Sequence, residues 1–257
     1  MSTAPAPLLR RLAAEALGTG LLATAVIGSG IAAARLSPAD VGLQLFENAV
    51  ATAAALAVII LLVGPVSGAH LNPLVSLADW WLGRRDQTGL DLADVAPYAA
   101  AQTIGGIAGA VLANLMYDLT AVTWSTTDRS AGHLWLSEVV ATAGLIAVVF
   151  ALARSGRAAL SAATIGAYIG AAYFFTSSTS FANPAITIAR AFTNTFAGIA
   201  PASVPAYVLA QTAGAALGLA TVWLLYPDLA HTAPATAAVP HDTATAPAAR
   251  TQDRLPR

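Results

Sequence analysis

Two Asn-Pro pairs are where this chain could do its chemistry. Asn72-Pro73 lies in S-G-A-H-L-N-P-L, and Asn183-Pro184 lies in F-A-N-P-A. Asn is a favoured N-cap, and Pro suits the first helical position, where its missing N–H is no loss. Each pair therefore starts a helix. The first such helix is about ten residues long, too short to cross a bilayer. Two short polar-then-helical stretches among long apolar runs point to two half-helices that dip into a membrane. The chemistry they offer is hydrogen bonding, not bond breaking. With no Cys in the chain, a thiolate nucleophile, a thiolate metal site and a disulfide framework are all excluded. No enzyme activity, cofactor or metal site is expected.

Long apolar elements must hold these pairs in place. Of the 257 residues, 57% are hydrophobic and 10% charged, against about 25% charged in soluble domains. The chain reads as an all-α membrane protein. A net charge of −1 implies no nucleic-acid partner. Spans are expected over residues 8–34, 43–63, 95–117, 134–153, 158–175 and 204–226. Gly64-Pro65 is expected to break the second span. Residues 1–7 form a short leader. Residues 227–257, rich in Ala, Thr and Pro, are expected to be disordered. There is no Lys, so arginines set the orientation. Six spans with an inside N-terminus put Arg10, Arg11, Arg84, Arg85, Arg154, Arg157 and the three tail arginines in the cytoplasm, leaving only Arg35 and Arg129 in outer loops.

The halves repeat, over about 8–117 and 133–226. Glu15 in the first span matches Glu138 in the fourth. Gln102-Thr103, with Gly105 and Gly109, matches Gln211-Thr212, with Gly214 and Gly218. Three spans per half is an odd number, so the halves must be inverted in the membrane. Glycines four apart allow close helix packing.

With these motifs the chain resembles the aquaporin, or major intrinsic protein, family over about residues 8–226. The resemblance implies six transmembrane helices plus two re-entrant half-helices around a narrow pore, usually as a homotetramer in the plasma membrane. It places Asn72, Pro73 and Leu74 with Asn183, Pro184 and Ala185 at the pore centre. There the unpaired N–H groups and helix dipoles would disfavour cations, and the Asn amides would donate to passing solutes. Carbonyls of residues 68–71 and 179–182 would accept. Glu15 and Glu138 read either as proton-coupling acids or as anchors of the re-entrant loops, and the family assigns the second role, with Gln102 and Gln211 beside them. His70 reads as a gate or as a loop anchor.

Two departures stand out. Leu74 replaces the usual Ala and would add bulk near the centre. Ile186 replaces the Arg that usually follows Asn-Pro-Ala. Counting from the two Asn residues maps the remaining constriction positions to Thr52, Ala171 and Ser180, so that ring and guanidinium are both absent. This resembles arsenic-associated bacterial aquaporins and implies a passive channel for neutral solutes larger than water: metalloid acids such as arsenous acid or its methylated forms, glycerol-like solutes, and water. Arg190, four residues after Ile186, reads as an outer-vestibule cation or as a packing residue. The competing classes are a secondary transporter on the same inverted plan and a closed structural or sensor protein.

Overall fold

The computed structural model describes residues 6–84 and 88–227. Arg85, Asp86, the tail arginines, residues 228–257 and most of the leader lie outside the described residues. The eight α-helices among them are α1 (Leu8–Leu36), α2 (Val41–Ser67), α3 (Pro73–Gly83), α4 (Leu92–Met116), α5 (Gly132–Arg154), α6 (Ser161–Phe175), α7 (Pro184–Ala189) and α8 (Val204–Leu225). Six helical segments are long and apolar enough to cross a membrane, and α3 and α7 are not among them.

The two short helices start at Asn72 and Asn183, whose side-chain oxygens accept from Leu74 N, and from Ala185 N and Ile186 N. A 3₁₀ turn at Arg190–Phe192 follows α7. One expected boundary differs. Gly64-Pro65 does not break the second span, and α2 continues to Ser67 with Pro65 inside it. A proline removes one ladder bond, which a membrane helix tolerates when neighbours re-satisfy the backbone. The stop comes at Gly68, which adopts φ 88° and donates to Gly64 O.

Helix α1 packs chiefly on α4 and α5 on α8, with α2 against α6. The glycine pairs make this possible, and both halves use them alike. A Cβ on Gly105 would collide with the Ala16 carbonyl, and one on Gly109 with that of Gly20. In the other half a Cβ on Gly214 would meet Val139 O, and one on Gly218 would lie 2.6 Å from Ala143 O. Ala16 follows Glu15 as Val139 follows Glu138, so the close approach obeys the repeat. Helix backbone cannot yield as a side chain would. Gly105→Ala and Gly214→Ala should each destabilise the protein by about 1–3 kcal/mol, seen as lower thermal midpoints in detergent. A silent Gly105→Ala would show that α1 and α4 can separate freely.

Candidate functional site

The site starts from two buried carboxylates. Glu15 Oε1 accepts from Ser67 Oγ (2.6 Å) and His70 N (3.0 Å), and Oε2 from Leu71 N (2.7 Å) and Gln102 Nε2 (2.7 Å). Glu138 Oε1 accepts from Ser178 Oγ (2.6 Å) and Phe181 N (2.9 Å), and Oε2 from Ala182 N (2.9 Å) and Gln211 Nε2 (2.6 Å). In each half the donors sit at the same offsets from the Asn: five, two and one residues before it. Each Gln also donates to a hydroxyl four residues after the Asn, Ser76 Oγ at 3.1 Å or Thr187 Oγ1 at 2.8 Å.

These bonds hold an unusual backbone. Gly68, Ala69 and Leu71 have φ of 88°, 50° and 52°; Thr179, Ser180 and Ala182 have 63°, 49° and 49°. For a residue with a side chain, left-handed backbone costs roughly 1–2 kcal/mol. Five of these six residues are not glycine, so the charge-assisted bonds to the two Glu must offset that strain.

The Asn residues then lock the two loops together. Asn72 Nδ2 donates to Ala182 O at 2.8 Å, and Asn183 Nδ2 donates to Leu71 O at 2.7 Å. This modifies the expected division of labour. One proton of each amide and one lone pair of each of these carbonyls are spent across the pseudo-twofold, leaving a single N–H per Asn for a solute.

A cavity of about 70 Å³ adjoins the crossing, room for roughly five waters at about 10–15 Å³ each. Its walls are largely apolar: Leu22 and Val26 of α1, Leu56 and Ile60 of α2, Val149 of α5, Ile165 and Ile169 of α6. Polar atoms come from Asn72, Asn183, His70, Thr52, Ser180, Tyr173 and Arg190. His70 lines the cavity and is anchored as well. Its Nδ1 lies 3.0 Å from Ser76 Oγ, its Nε2 lies 3.8 Å from Asp79 Oδ2, and its ring centroid lies 5.3 Å from that of Tyr98.

The structure departs from the expected constriction at two residues. Ala171 is exposed on the outer face of α6 and does not line the cavity, whereas Tyr173 does. Helix α6 ends at Phe175, and the non-helical residues 176–182 intervene before Asn183. A count carried back through that non-helical stretch loses the helical face. Two residues rotate a side chain by roughly 200° on an α-helix. The Ile165, Ile169, Tyr173 stripe, spaced by four, was the available signal. Leu74, expected to crowd the centre, is buried but does not line the cavity. Val75 and Ile186, each three residues after its Asn, are the ones that line the cavity.

Thr52, Ser180, Ile186 and Tyr173 thus come together, with Tyr173 OH donating to Thr52 Oγ1 at 3.3 Å. Ser180 Oγ has no protein partner among the described residues. Arg190 joins them. It is 3% exposed, lies with Cζ 3.3 Å from the Phe181 ring centroid, and donates from Nε to Ala197 O. The wall is therefore not free of rings and guanidinium, as position counting implied. Phe181 was invisible as a platform because nothing in a sequence reports which ring a distant Arg will meet.

Two inverted helical triplets, each contributing a half-helix that meets the other at a shared cavity, define a membrane channel. Residues 2–182 match the major intrinsic protein family. The chain is 50% identical over 221 residues to the aquaglyceroporin AqpS of Rhizobium meliloti (strain 1021), covering 86% of this chain and 92% of the relative. The glycerol uptake facilitator protein of Pseudomonas aeruginosa is 31% identical over 179 residues, covering 60% of this chain and 61% of that protein. Among solved structures, the X-ray structure of the aquaglyceroporin from Plasmodium falciparum superposes with a TM-score of 0.64 at 18% identity, over 87% of this chain and 99% of that one. The chain belongs to the major intrinsic protein family.

Proposed function

We propose that this chain is a passive pore for small uncharged solutes larger than water: glycerol-like polyols and undissociated metalloid acids, arsenous acid and its methylated forms included, with water as a further permeant. The observation that carries this reading is Ile186. It stands where a guanidinium is usual, and it gives an apolar wall to the cavity that the Tyr173–Thr52 pair also lines. A polyol can donate to Leu71 or Ala182 carbonyls, accept from Asn72 and Asn183, and rest its carbon skeleton on Ile186 and Ile169. Cations are opposed by Arg190, by the positive dipole ends of α3 and α7, and by the cost of burying an uncompensated charge. No bond is made or broken. Glu15 and Glu138 serve as loop anchors, because all four of the strong bonds each accepts come from fixed protein donors.

The exposed apolar side chains around the bundle, such as Leu61, Ile104, Leu209 and Trp223, suit lipid and three further copies of the chain in a homotetramer. Arginine placement favours cytoplasmic termini, and the reading takes the membrane to be the plasma membrane. Stopped-flow swelling of proteoliposomes with water, glycerol and undissociated arsenous acid tests the reading. Flux should rise linearly with the solute gradient and ignore collapse of any ion gradient. Saturating, ion-coupled uptake, or rates no faster than those of empty liposomes for every solute but water, would overturn it.

A further inference from the structure

The guanidinium of Arg190 is buried in the channel wall without an ion-pair partner among the described residues. Its Nε is spent on Ala197 O, while its two terminal NH₂ groups have no protein acceptor among the described residues. No carboxylate lies within 4.0 Å of it among those residues. The Glu138 carboxylate acts on it only through space, for both Glu138 oxygens are taken by Ser178, Phe181, Ala182 and Gln211. Arg129 adds a second cation, with Cζ 5.0 Å from the same Phe181 ring and Nε bonded to Gly198 O at 3.0 Å. The neighbouring Asp128 lies within 4.0 Å of neither guanidinium. Its carboxylate accepts from Ser130 Oγ at 2.5 Å and Ser203 Oγ at 3.1 Å, bonds that hold it below the usual carboxylate range.

A buried cation left unpaired is costly, and a guanidinium fork matches two oxygens on one atom better than a point charge does. We infer that Arg190, on its Phe181 shelf, forms an anion site at one end of the pore that holds the conjugate base of a small carboxylic acid. The two carboxylate oxygens face the two terminal NH₂ groups, and Ser180 Oγ, unpartnered and 3% exposed as a residue, supplies another donor. The carbon end of the acid lies against Ile186. Farther along, the wall of Leu56, Ile60, Leu22 and Val26 gives a charge nothing to pair with, so the anion stays where it binds. The protonated acid, uncharged, moves on and carries its proton with it. A bound carboxylate thus occupies the route of neutral solutes. This rests on the passive-pore reading only for its effect on flux, since binding itself can be measured without transport.

Two measurements on the full-length protein separate the site from the channel. The first is binding of sodium formate to detergent-solubilised protein by calorimetry or saturation-transfer NMR at pH 7. The second is glycerol flux in proteoliposomes with rising external formate, against sodium chloride at equal ionic strength. Wild type should bind formate saturably in the first and lose glycerol flux over the same concentrations in the second. Loss of charge-assisted bonds should weaken formate binding about tenfold or more in Arg190→Gln. Arg190→Lys should bind between the two. Phe181→Leu, which keeps the backbone N–H bonded to Glu138 but removes the shelf, should also weaken binding, and it decides the matter if Arg190→Gln fails to fold. Formate binding equal in wild type and the folded variants, no saturable binding at all, or equal competition by chloride would overturn the site. If formate binds but glycerol does not pass, the anion site stands and the passive-pore reading falls.

Discussion

Glu138→Ala is expected to yield almost no folded protein. The substitution removes the acceptor for four buried donors at once: Ser178 Oγ, Phe181 N, Ala182 N and Gln211 Nε2. Leaving a buried donor unsatisfied costs about 1–3 kcal/mol, more when the lost partner was charged. Four such losses are comparable with the whole stability of a typical domain, about 5–15 kcal/mol. The loss falls on Thr179, Ser180 and Ala182, whose left-handed backbone has no other support of that strength. Once that loop relaxes, Ala182 O leaves Asn72, and the bond that ties the two half-helices goes with it. Glu138→Gln keeps the volume and one acceptor oxygen, but aims a new N–H pair at existing donors, so it should fall between wild type and Ala. Glu15→Ala should match Glu138→Ala, because its donors occupy the same offsets. Yield by gel filtration and the thermal midpoint in detergent give the answer. A Glu138→Ala protein that melts within a few degrees of wild type would mean that the loop is held some other way.

Ile186→Arg should close the pore to glycerol while sparing part of any water flux. Ile186 is buried in the cavity wall, one helical turn before Arg190. A second guanidinium would enter a space of about 70 Å³ that already holds the first. Its five N–H donors would compete with Asn72 and Asn183 for solute oxygens, and its bulk would replace the apolar wall on which a carbon skeleton rests. Like charge against Arg190 would push one of the two toward the lumen axis, where it obstructs most. Glycerol flux should fall at least about tenfold, roughly 1.4 kcal/mol in the barrier. Water, which needs neither the width nor the apolar wall, should fall less. Ile186→Val, a change of one methylene, should leave both nearly untouched. Stopped-flow swelling with both solutes, on variants that elute as wild type does, checks this. Unchanged glycerol flux in Ile186→Arg would show that Ile186 does not shape the route.

Much of this protein is written along the chain. The excess of apolar residues and the six long runs made it a membrane bundle. Two Asn-Pro pairs gave the starts of α3 and α7 at the residue, because capping by Asn and the fixed φ of Pro are local effects. The ordered recurrence of Glu, Asn-Pro and Gln-Thr-x-Gly exposed the inverted repeat. Both features depend on residues near each other or on a repeated order, and a sequence records both. Tertiary structure alone decided the rest. Helical phase carries a side chain's direction only while the helix lasts. The break after Phe175 hid from a count along the chain that Ala171 faces outward and Tyr173 inward, and α2 runs on through Pro65 to Ser67. Asn72 bonds to Ala182 and Asn183 to Leu71 across more than a hundred residues, a pairing that exists only once the halves have docked. Arg190 likewise acquires its meaning from Phe181 and Ala197. Whether a charge in a membrane faces a ring, a carbonyl or an open cavity is fixed by how three separate segments pack, and no spacing in the chain encodes that.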